Sequence, residues 1–171
     1  MSEGKDKIKA LAELNIVPIA ISYEWESCDV LKALELYESQ YTKYTKKPGE
    51  DLNSILTGIL QPKGRVHIAL CKPICMEELS AFEEQTNNEY HKCVARLLDS
   101  RINTAYRLFP NNYIAHDILY GNTRCQSMYT DEEYNLFLQH LTALDRYEDT
   151  CDIERLRDIF VGIYANPVDN R

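Results

Sequence analysis

The sequence predicts an α/β protein with few parallel strands and a mostly helical C-terminal half. Two short segments have the residue pattern of strands, and everything after Pro73 has the pattern of helices. About 40 residues with two predicted helices join the two strands, which is long enough for a crossover between parallel strands. Because two strands alone form a marginal sheet, we expect the chain to be the C-terminal part of a larger α/β domain.

Residues 1–75 are predicted to form the α/β part. Ile16–Tyr23 is apolar without alternation, as in a strand covered on both faces. Pro18 is expected at its start or at a bulge, because proline lacks a ladder donor, and Asp29 is expected to cap the next helix. The predicted elements are a helix over Lys5–Leu14, the strand Ile16–Tyr23, helices over Asp29–Lys46 and Glu50–Leu60, and an alternating strand over Arg65–Cys71. Helical spacing predicts inward-facing side chains at Leu52, Ile55, Leu56 and Ile59.

Residues 76–171 are predicted to form the helical region of the same domain. Thr130 and Glu133 have the spacing of a capping box, and Pro167 is expected to end the last helix. The predicted helices cover Met76–Gln85, Asn88–Leu108, Asn112–Tyr120, Asp131–Tyr147 and Cys151–Ala165.

Charge and hydropathy exclude several classes of function. The net charge is −8, from 19 basic and 27 acidic residues, whereas a nucleic-acid-binding protein needs a basic face. No apolar run reaches the roughly 18 residues of a spanning helix. Met1–Ala10 is polar and charged, unlike a signal peptide. We therefore expect a cytoplasmic protein with no nucleic-acid partner.

The six cysteines are predicted to be reduced, and most of them to be buried as small hydrophobic side chains. One group of histidines and cysteines has a ligand-like spacing: His67, Cys71, Cys75, His91 and Cys93. Zinc needs four convergent ligands, and this spacing matches no common zinc motif. The sequence therefore predicts no metal and no cofactor.

The segment Asn15–Asp29, followed by Leu31–Ala33, resembles bacterial proteins of the glycerolipid acyltransferase superfamily, in particular lysophosphatidate acyltransferases. The likeness continues through Glu50–Leu52, Thr57–Ile59, Lys63–His67, Asn112–Ala115 and Ile163–Val168. Four sequence blocks characterise this superfamily, and the fourth is an apolar strand of Val-Pro-Ile type near the acyl chain. The residues that match this block, and that the resemblance implies as substrate-binding residues, are Ile16, Val17, Pro18 and Ile19.

The resemblance implies a role in phospholipid biosynthesis. The parent enzyme would transfer a fatty acyl group from acyl-CoA or acyl carrier protein to a lysophospholipid hydroxyl, at the cytoplasmic face of the membrane as a peripheral protein. The catalytic block of the family, His-x4-Asp, is expected before Met1, so this chain alone is expected to be inactive, and whether it is an enzyme stays open. An unpaired apolar strand is also expected to promote self-association. The alternative is a non-catalytic helical accessory or interaction protein.

Several residues invite a functional interpretation by spacing alone. His140 and Asp145 do have the His-x4-Asp spacing, but five residues along a helix turn the two side chains about 140° apart, so we expect a solvated helix face. The adjacent pair His116–Asp117 is expected to have surface or capping roles, and Glu3–Gly4 is expected to be a plain helix entry. Glu24 and Trp25 follow the first strand, where the crevice of a sheet often lies, and are candidates for an active-site mouth.

Overall fold

A computed structural model describes the backbone of residues 2–170 and the side chains of residues 7–170. The chain forms two compact units, and neither is continuous in sequence. Unit 1 comprises Met1–Ser22 and His67–Arg107, and unit 2 comprises Tyr23–Val66 and Leu108–Arg171. The chain passes from unit 1 to unit 2 at the end of the first strand and returns to unit 1 at the second strand. The division into units therefore differs from the predicted segments 1–75 and 76–171.

The elements follow the predicted order closely. They are α1 (Ser2–Glu13), β1 (Ile19–Tyr23), α2 (Asp29–Tyr41), α3 (Glu50–Leu60), β2 (Val66–Leu70), α4 (Met76–Ser80), α5 (Asn87–Ala105), α6 (Pro110–Tyr120), α7 (Asp131–Leu141) and α8 (Ile153–Asp169), with short 3-10 segments at Gln126–Met128 and Thr142–Tyr147. The fold is therefore rich in helices, with one small sheet, as the predicted class requires in outline.

The two strands form a single antiparallel sheet, so the prediction of parallel strands is wrong. The Cys71 N–H donates to the Pro18 carbonyl over 2.9 Å, and the Ile74 N–H donates to the Ile16 carbonyl over 2.9 Å. As one strand advances its partner retreats, which is the antiparallel register. The long connection through α2 and α3 does not make a crossover, because these helices belong to unit 2 and the chain returns beside β1 in the opposite direction.

The sheet has its large side chains outside and its small ones inside. Ala20 and Ser22 of β1 are fully buried, whereas Ile19 and Ile21 are 48% and 45% exposed. On β2 the same alternation leaves Ile68 63% exposed and Leu70 75% exposed. The expectation that β1 is covered on both faces is therefore wrong for the described residues. One face of this sheet is apolar and open, and we call it the outer sheet face; its members are Ile19, Ile21, Ile68 and Leu70.

The core of unit 1 lies among α1, α4 and α5. Ile8, Leu79 and Tyr90 are buried there, with Val94 one turn further along α5. Tyr90 and Val94 are four residues apart on α5, which places them on one face of the helix. Arg101 holds the start of α4 in place. Its guanidinium donates a hydrogen bond to the Lys72 carbonyl over 2.6 Å and also contacts the Glu78 carboxylate.

The core of unit 2 lies among α2, α6, α7 and α8. Its fully buried side chains include Ile114 on α6, Phe137 on α7 and Phe160 on α8. The rings of Phe137 and Tyr164 meet edge to face at a centroid distance of 5.4 Å, a favoured aromatic geometry. The candidate site lies next to this aromatic cluster, since Trp25 packs against Phe137.

Helix α3 has the predicted bounds but none of the predicted burial. No residue of α3 is buried, although Leu52, Ile55, Leu56 and Ile59 were expected inward. Their exposed fractions, with that of Leu60, are 61% for Leu52, 58% for Ile55, 48% for Leu56, 69% for Ile59 and 75% for Leu60. Periodicity identifies residues that share a helix face, but it does not say that the same chain covers that face.

Capping explains where several helices begin and end. The Glu133 N–H donates to the Thr130 hydroxyl over 3.2 Å and the Thr130 N–H donates to the Glu133 carboxylate over 2.9 Å, which confirms the predicted capping box. Helix α8 runs through Pro167 to Asp169, so the prediction that it ends before Pro167 is wrong. A proline in the last turn removes a single hydrogen bond, and the packing of α8 in the core outweighs that loss. Among the described residues, no helix combines the length and the apolarity that crossing a bilayer requires.

Candidate functional site

A cavity of about 780 Å³ opens in unit 2 at the N-terminus of α2. Its volume lies in the range of small-molecule sites, about 300–1,000 Å³. The segment Trp25–Leu31 forms one wall, α7 and the following 3-10 segment form the opposite wall, and α3 closes a third side. The residues with chemically active groups in this lining are Cys28, Asp29, His140 and Arg146.

Trp25 lies in the cavity wall and Glu24 does not. The indole of Trp25 packs against the His140 ring at 4.6 Å and against Phe137 at 6.1 Å. Glu24 instead binds Arg65, whose guanidinium donates to Glu24 Oε1 over 2.6 Å while its backbone N–H donates to Oε2 over 2.8 Å. Burial raises the pKa of Glu24, but the hydrogen bonds from Arg65 outweigh burial and leave that pKa lowered. Glu24 is therefore a paired, charged anchor beside the site.

Asp29 is the buried centre of the site, with 5% of its surface exposed. Its Oδ2 accepts the Tyr164 hydroxyl over 2.7 Å and lies 2.7 Å from His140 Nε2, and its Oδ1 accepts the Val30 N–H over 2.7 Å. Three donors satisfy the carboxylate, as a buried charge requires. The sequence-based role as a simple helix cap is therefore too narrow, because Asp29 joins α2, α7 and α8.

Tyr164 supports Asp29 as a permanent donor. The side chain is almost entirely buried, and its hydroxyl also accepts the Glu26 N–H over 3.1 Å. Burial, followed by the charge of Asp29, raises the pKa of Tyr164 far above its ordinary value. The phenol therefore keeps its proton and donates it to Asp29 Oδ2.

His140 has one ring nitrogen bound and one open. Because a carboxylate accepts hydrogen bonds, the contact with Asp29 assigns the proton of the neutral ring to Nε2. Within the described part of the chain Nδ1 has no hydrogen-bond partner, and the side chain is 38% exposed in the cavity wall. An imidazole oriented by a carboxylate in this way can accept a proton, or a hydrogen bond from a ligand, at its open nitrogen.

The expectation of a solvated helix face holds for His140 only in part, because its ring is partly exposed but also contacts Asp29. His140 and Asp145 do not form an ion pair or a hydrogen bond with each other. Asp145 binds Arg157 over 2.6 Å instead. The carboxylate that orients His140 lies 111 positions away in sequence. The sequence showed each residue separately, Asp29 at a helix start and His140 in a helix, but contained no signal of their proximity.

The four residues that resemble the acyl-proximal block lie in unit 1, at the start of β1. Ile16 is half-buried and Pro18 is buried, just before the first strand residue, while Val17 and Ile19 are 44% and 48% exposed. Alternation along the extended chain directs Val17 and Ile19 to the same side. The described residues therefore provide two candidate sites, an exposed apolar surface in unit 1 and a cavity in unit 2.

A second cluster lies beside α6 and has the composition of a metal site. His116, Asp117 and Cys125 place their ligand atoms within 4.8 Å of one another. However, both Asp117 oxygens accept the Cys125 N–H over 3.0 Å, and Oδ2 also accepts the Tyr129 hydroxyl over 2.9 Å. Burial, followed by the charge of Asp117, raises the pKa of the Cys125 thiol. This cluster is an anchor for the loop after α6, and His116 and Asp117 are buried, contrary to the expected surface role.

The predicted histidine–cysteine group around β2 does not converge among the described residues. Cys71 Sγ instead contacts the Arg101 carbonyl over 3.6 Å, and Cys75 Sγ contacts Glu78 over 3.3 Å. All six cysteines are free thiols of intermediate exposure, so the expectation that most of them are buried is wrong. The side chains of Glu3 and Gly4 lie outside the described part of the structure.

Comparison with protein-family models, with curated proteins and with solved structures finds no match to this chain.

Proposed function

We propose that this chain is an acyltransferase-like protein of phospholipid biosynthesis that holds a fatty acyl chain against its outer sheet face. The observation that carries the proposal is the reversed burial of the sheet, with Ala20 and Ser22 inside and Ile19 and Ile21 outside. An exposed apolar patch of this kind marks a binding surface. A fatty acyl chain is the occupant that its purely aliphatic chemistry favours.

The resemblance supports the same occupant independently. The block that matches at Ile16–Ile19 is the one that lies near the acyl chain in the glycerolipid acyltransferase superfamily, and in this chain its exposed members adjoin the outer sheet face. The parent reaction would move the acyl group from acyl-CoA or acyl carrier protein to a lysophospholipid hydroxyl. A cytoplasmic protein with such a face would act peripherally at the membrane, where its acceptor lies.

We further propose that the chain binds the acyl group without transferring it. Attack of a hydroxyl on a thioester needs a base and its orienting carboxylate. The one His-x4-Asp spacing in the sequence is that of His140 and Asp145, and these side chains bind Asp29 and Arg157 respectively. The His-x4-Asp dyad of the family is therefore not formed by this pair. The imidazole that Asp29 orients lines the cavity of unit 2, which contains no residue of the outer sheet face.

The binding test uses a long-chain acyl-CoA carrying a photoreactive acyl terminus. Ile68→Lys places a charge on the outer sheet face, and because Ile68 is 63% exposed, the substitution leaves the core intact. Leu14→Lys is the matched control, since Leu14 is 67% exposed and lies outside the sheet. We expect Ile68→Lys to weaken acyl binding about tenfold or more, because a charge replaces a side chain whose contact with the acyl chain is worth about 1–2 kcal/mol, and Leu14→Lys to change nothing. No binding, or equal loss in both variants, would contradict the proposal.

The same preparation tests catalysis. Thioester consumption is measured with labelled acyl-CoA and a lysophospholipid, and we expect no turnover above the uncatalysed rate. Turnover that disappears in His140→Gln would instead identify His140 as the base and would overturn the non-catalytic part of the proposal.

A non-catalytic accessory or interaction protein is the second candidate, and helix α3 favours it. Its five exposed apolar side chains, from Leu52 to Leu60, form an amphipathic face with no cover within the described chain. Helix-in-groove recognition uses such a face. Self-association through the free edge of β1 is the further expectation. Light scattering across a concentration series separates the two, because Ile59→Lys abolishes association through α3, whereas Ile21→Lys puts a charge on β1 and weakens association through its edge.

A further inference from the structure

The cavity of unit 2 has a cation at its rim that no acidic side chain neutralises. Arg146 lies in the 3-10 segment after α7, and its guanidinium packs over the Tyr147 ring at 5.0 Å. Among the described residues it makes no ion pair. An exposed arginine with its fork of donors free is suited to a carboxylate or a phosphate.

The other charges of the lining are already paired. Asp29 is satisfied by three donors, and Glu26 is bound by Lys32 over 2.8 Å. The open polar atom is His140 Nδ1, which carries no proton and can accept a hydrogen bond from a hydroxyl group of a ligand. The N-terminus of α2 also opens on the cavity and carries a partial positive charge. Arg146 is therefore the charged side chain of this lining whose hydrogen-bond donors are open among the described residues.

The remaining lining is apolar. Trp25, Val30, Leu136 and Ala143 contribute side chains to the same cavity. The indole is held by His140 on one side and by Phe137 on another, so its position is fixed by packing. A cavity lined by the rigid Trp25 indole and by the Arg146 guanidinium favours a ligand with one acidic end and one apolar end.

We propose that this cavity binds a small amphipathic anion, a carboxylate or phosphate monoester with an apolar arm, through Arg146 and the Trp25 wall. The proposal is independent of acyl binding at the outer sheet face, because no residue of that face contributes to the cavity. The acidic group pairs with the Arg146 guanidinium, and the apolar arm packs on the indole of Trp25.

Trp25 makes the test specific, because it is the single tryptophan of the chain. Phenyl phosphate and benzoate are titrated against the full chain while tryptophan fluorescence is followed, with benzyl alcohol as the neutral analogue. We expect saturable changes with at least one anion, and a weaker effect, by about tenfold or more, with the alcohol. Whichever anion binds more tightly identifies the acidic group.

Arg146→Gln is the deciding variant, and Arg146→Lys and Arg96→Gln are its controls. Arg146 is exposed, so its replacement leaves the core intact, and Arg96 is an exposed arginine on α5 in unit 1. We expect Arg146→Gln to weaken anion binding about tenfold, Arg146→Lys to retain part of it, and Arg96→Gln to match the wild type. Absence of saturable binding by either anion, or equal affinity in Arg146→Gln and the wild type, would overturn the proposal.

Discussion

Asp29 offers the sharpest test of the architecture of unit 2. Replacing it by asparagine keeps the shape of the side chain and removes the charge that accepts the Tyr164 hydroxyl and the His140 ring, each over 2.7 Å. Hydrogen bonds to a charged partner contribute about 1.5–3 kcal/mol each, and a buried donor left without its acceptor costs about 1–3 kcal/mol. We therefore expect Asp29→Asn to lower the free energy of unfolding by about 2–4 kcal/mol.

A double-mutant cycle with Tyr164→Phe isolates the central bond. Tyr164→Phe should cost about 1–2 kcal/mol alone. Because the two side chains share one hydrogen bond, the double variant should be less destabilised than the sum, with a coupling energy of about 1–2 kcal/mol. Asp145→Asn is the matched control, since this carboxylate is 49% exposed in its pair with Arg157, and exposed pairs contribute about 1 kcal/mol or less.

Urea unfolding is followed through the fluorescence of Trp25, whose ring lies 6.3 Å from that of Tyr164. The reasoning would be refuted by an Asp29→Asn variant within about 0.5 kcal/mol of the wild type, which is the ordinary range for surface changes. Strict additivity of the two substitutions would equally refute it, because it would mean that Asp29 and Tyr164 do not share a bond in solution.

Two further predictions concern a turn and a carboxylate. Gly64 has φ +60°, and a Cβ there would lie 2.5 Å from Glu24 Oε2, so Gly64→Ala should lower the free energy of unfolding by more than about 1 kcal/mol. Gly162 lies in open space within α8, so Gly162→Ala should raise the free energy of unfolding by about 0.5–1 kcal/mol. Thermal unfolding of both variants checks the contrast. The Cys75 N–H, followed by the Arg101 guanidinium, lowers the pKa of Glu78 from 4.5 to about 2. Because the pKa of Glu78 is lower in the folded state, its carboxylate stabilises the folded state at pH values above the unfolded pKa of 4.5. In acid unfolding curves, the stability advantage of the wild type over Glu78→Gln should therefore be complete above pH 4.5 and disappear toward pH 2.

Local patterns in the sequence predicted the elements well because they depend on neighbours in the chain. The helix over Glu50–Leu60 has the predicted bounds, and the box of Thr130 and Glu133 forms as expected. The helix from Asp29 was predicted to reach Lys46 but ends at Tyr41, since the polar residues before Pro48 offer no face to bury. Strand direction was not predictable, because the length of a connection permits a crossover without requiring one.

The site was harder to predict than the fold because its key contact is long-range. Asp29 and His140 meet across 111 positions, and each has an ordinary local explanation. Trp25 was singled out by its position after a strand end and lines the cavity, whereas Asp29 and His140 were given only local roles. A single sequence contains no pairing information of this kind, so the cavity emerges only when α2, α7 and α8 are packed together.

Binding of an occupant to the outer sheet face would also change the stability of unit 1. The four aliphatic side chains of this face are each 45–75% exposed, so covering them would contribute about 1 kcal/mol apiece by apolar area, or about 4 kcal/mol together. That sum is comparable with the whole stability of a marginal domain, about 5–15 kcal/mol. An occupant of this face, acyl chain or protein, must therefore stabilise unit 1 measurably as well as bind to it. The reversed placement of small and large residues on β1 and β2 is costly in isolation and becomes favourable once the face is covered, which is why it supports a binding role.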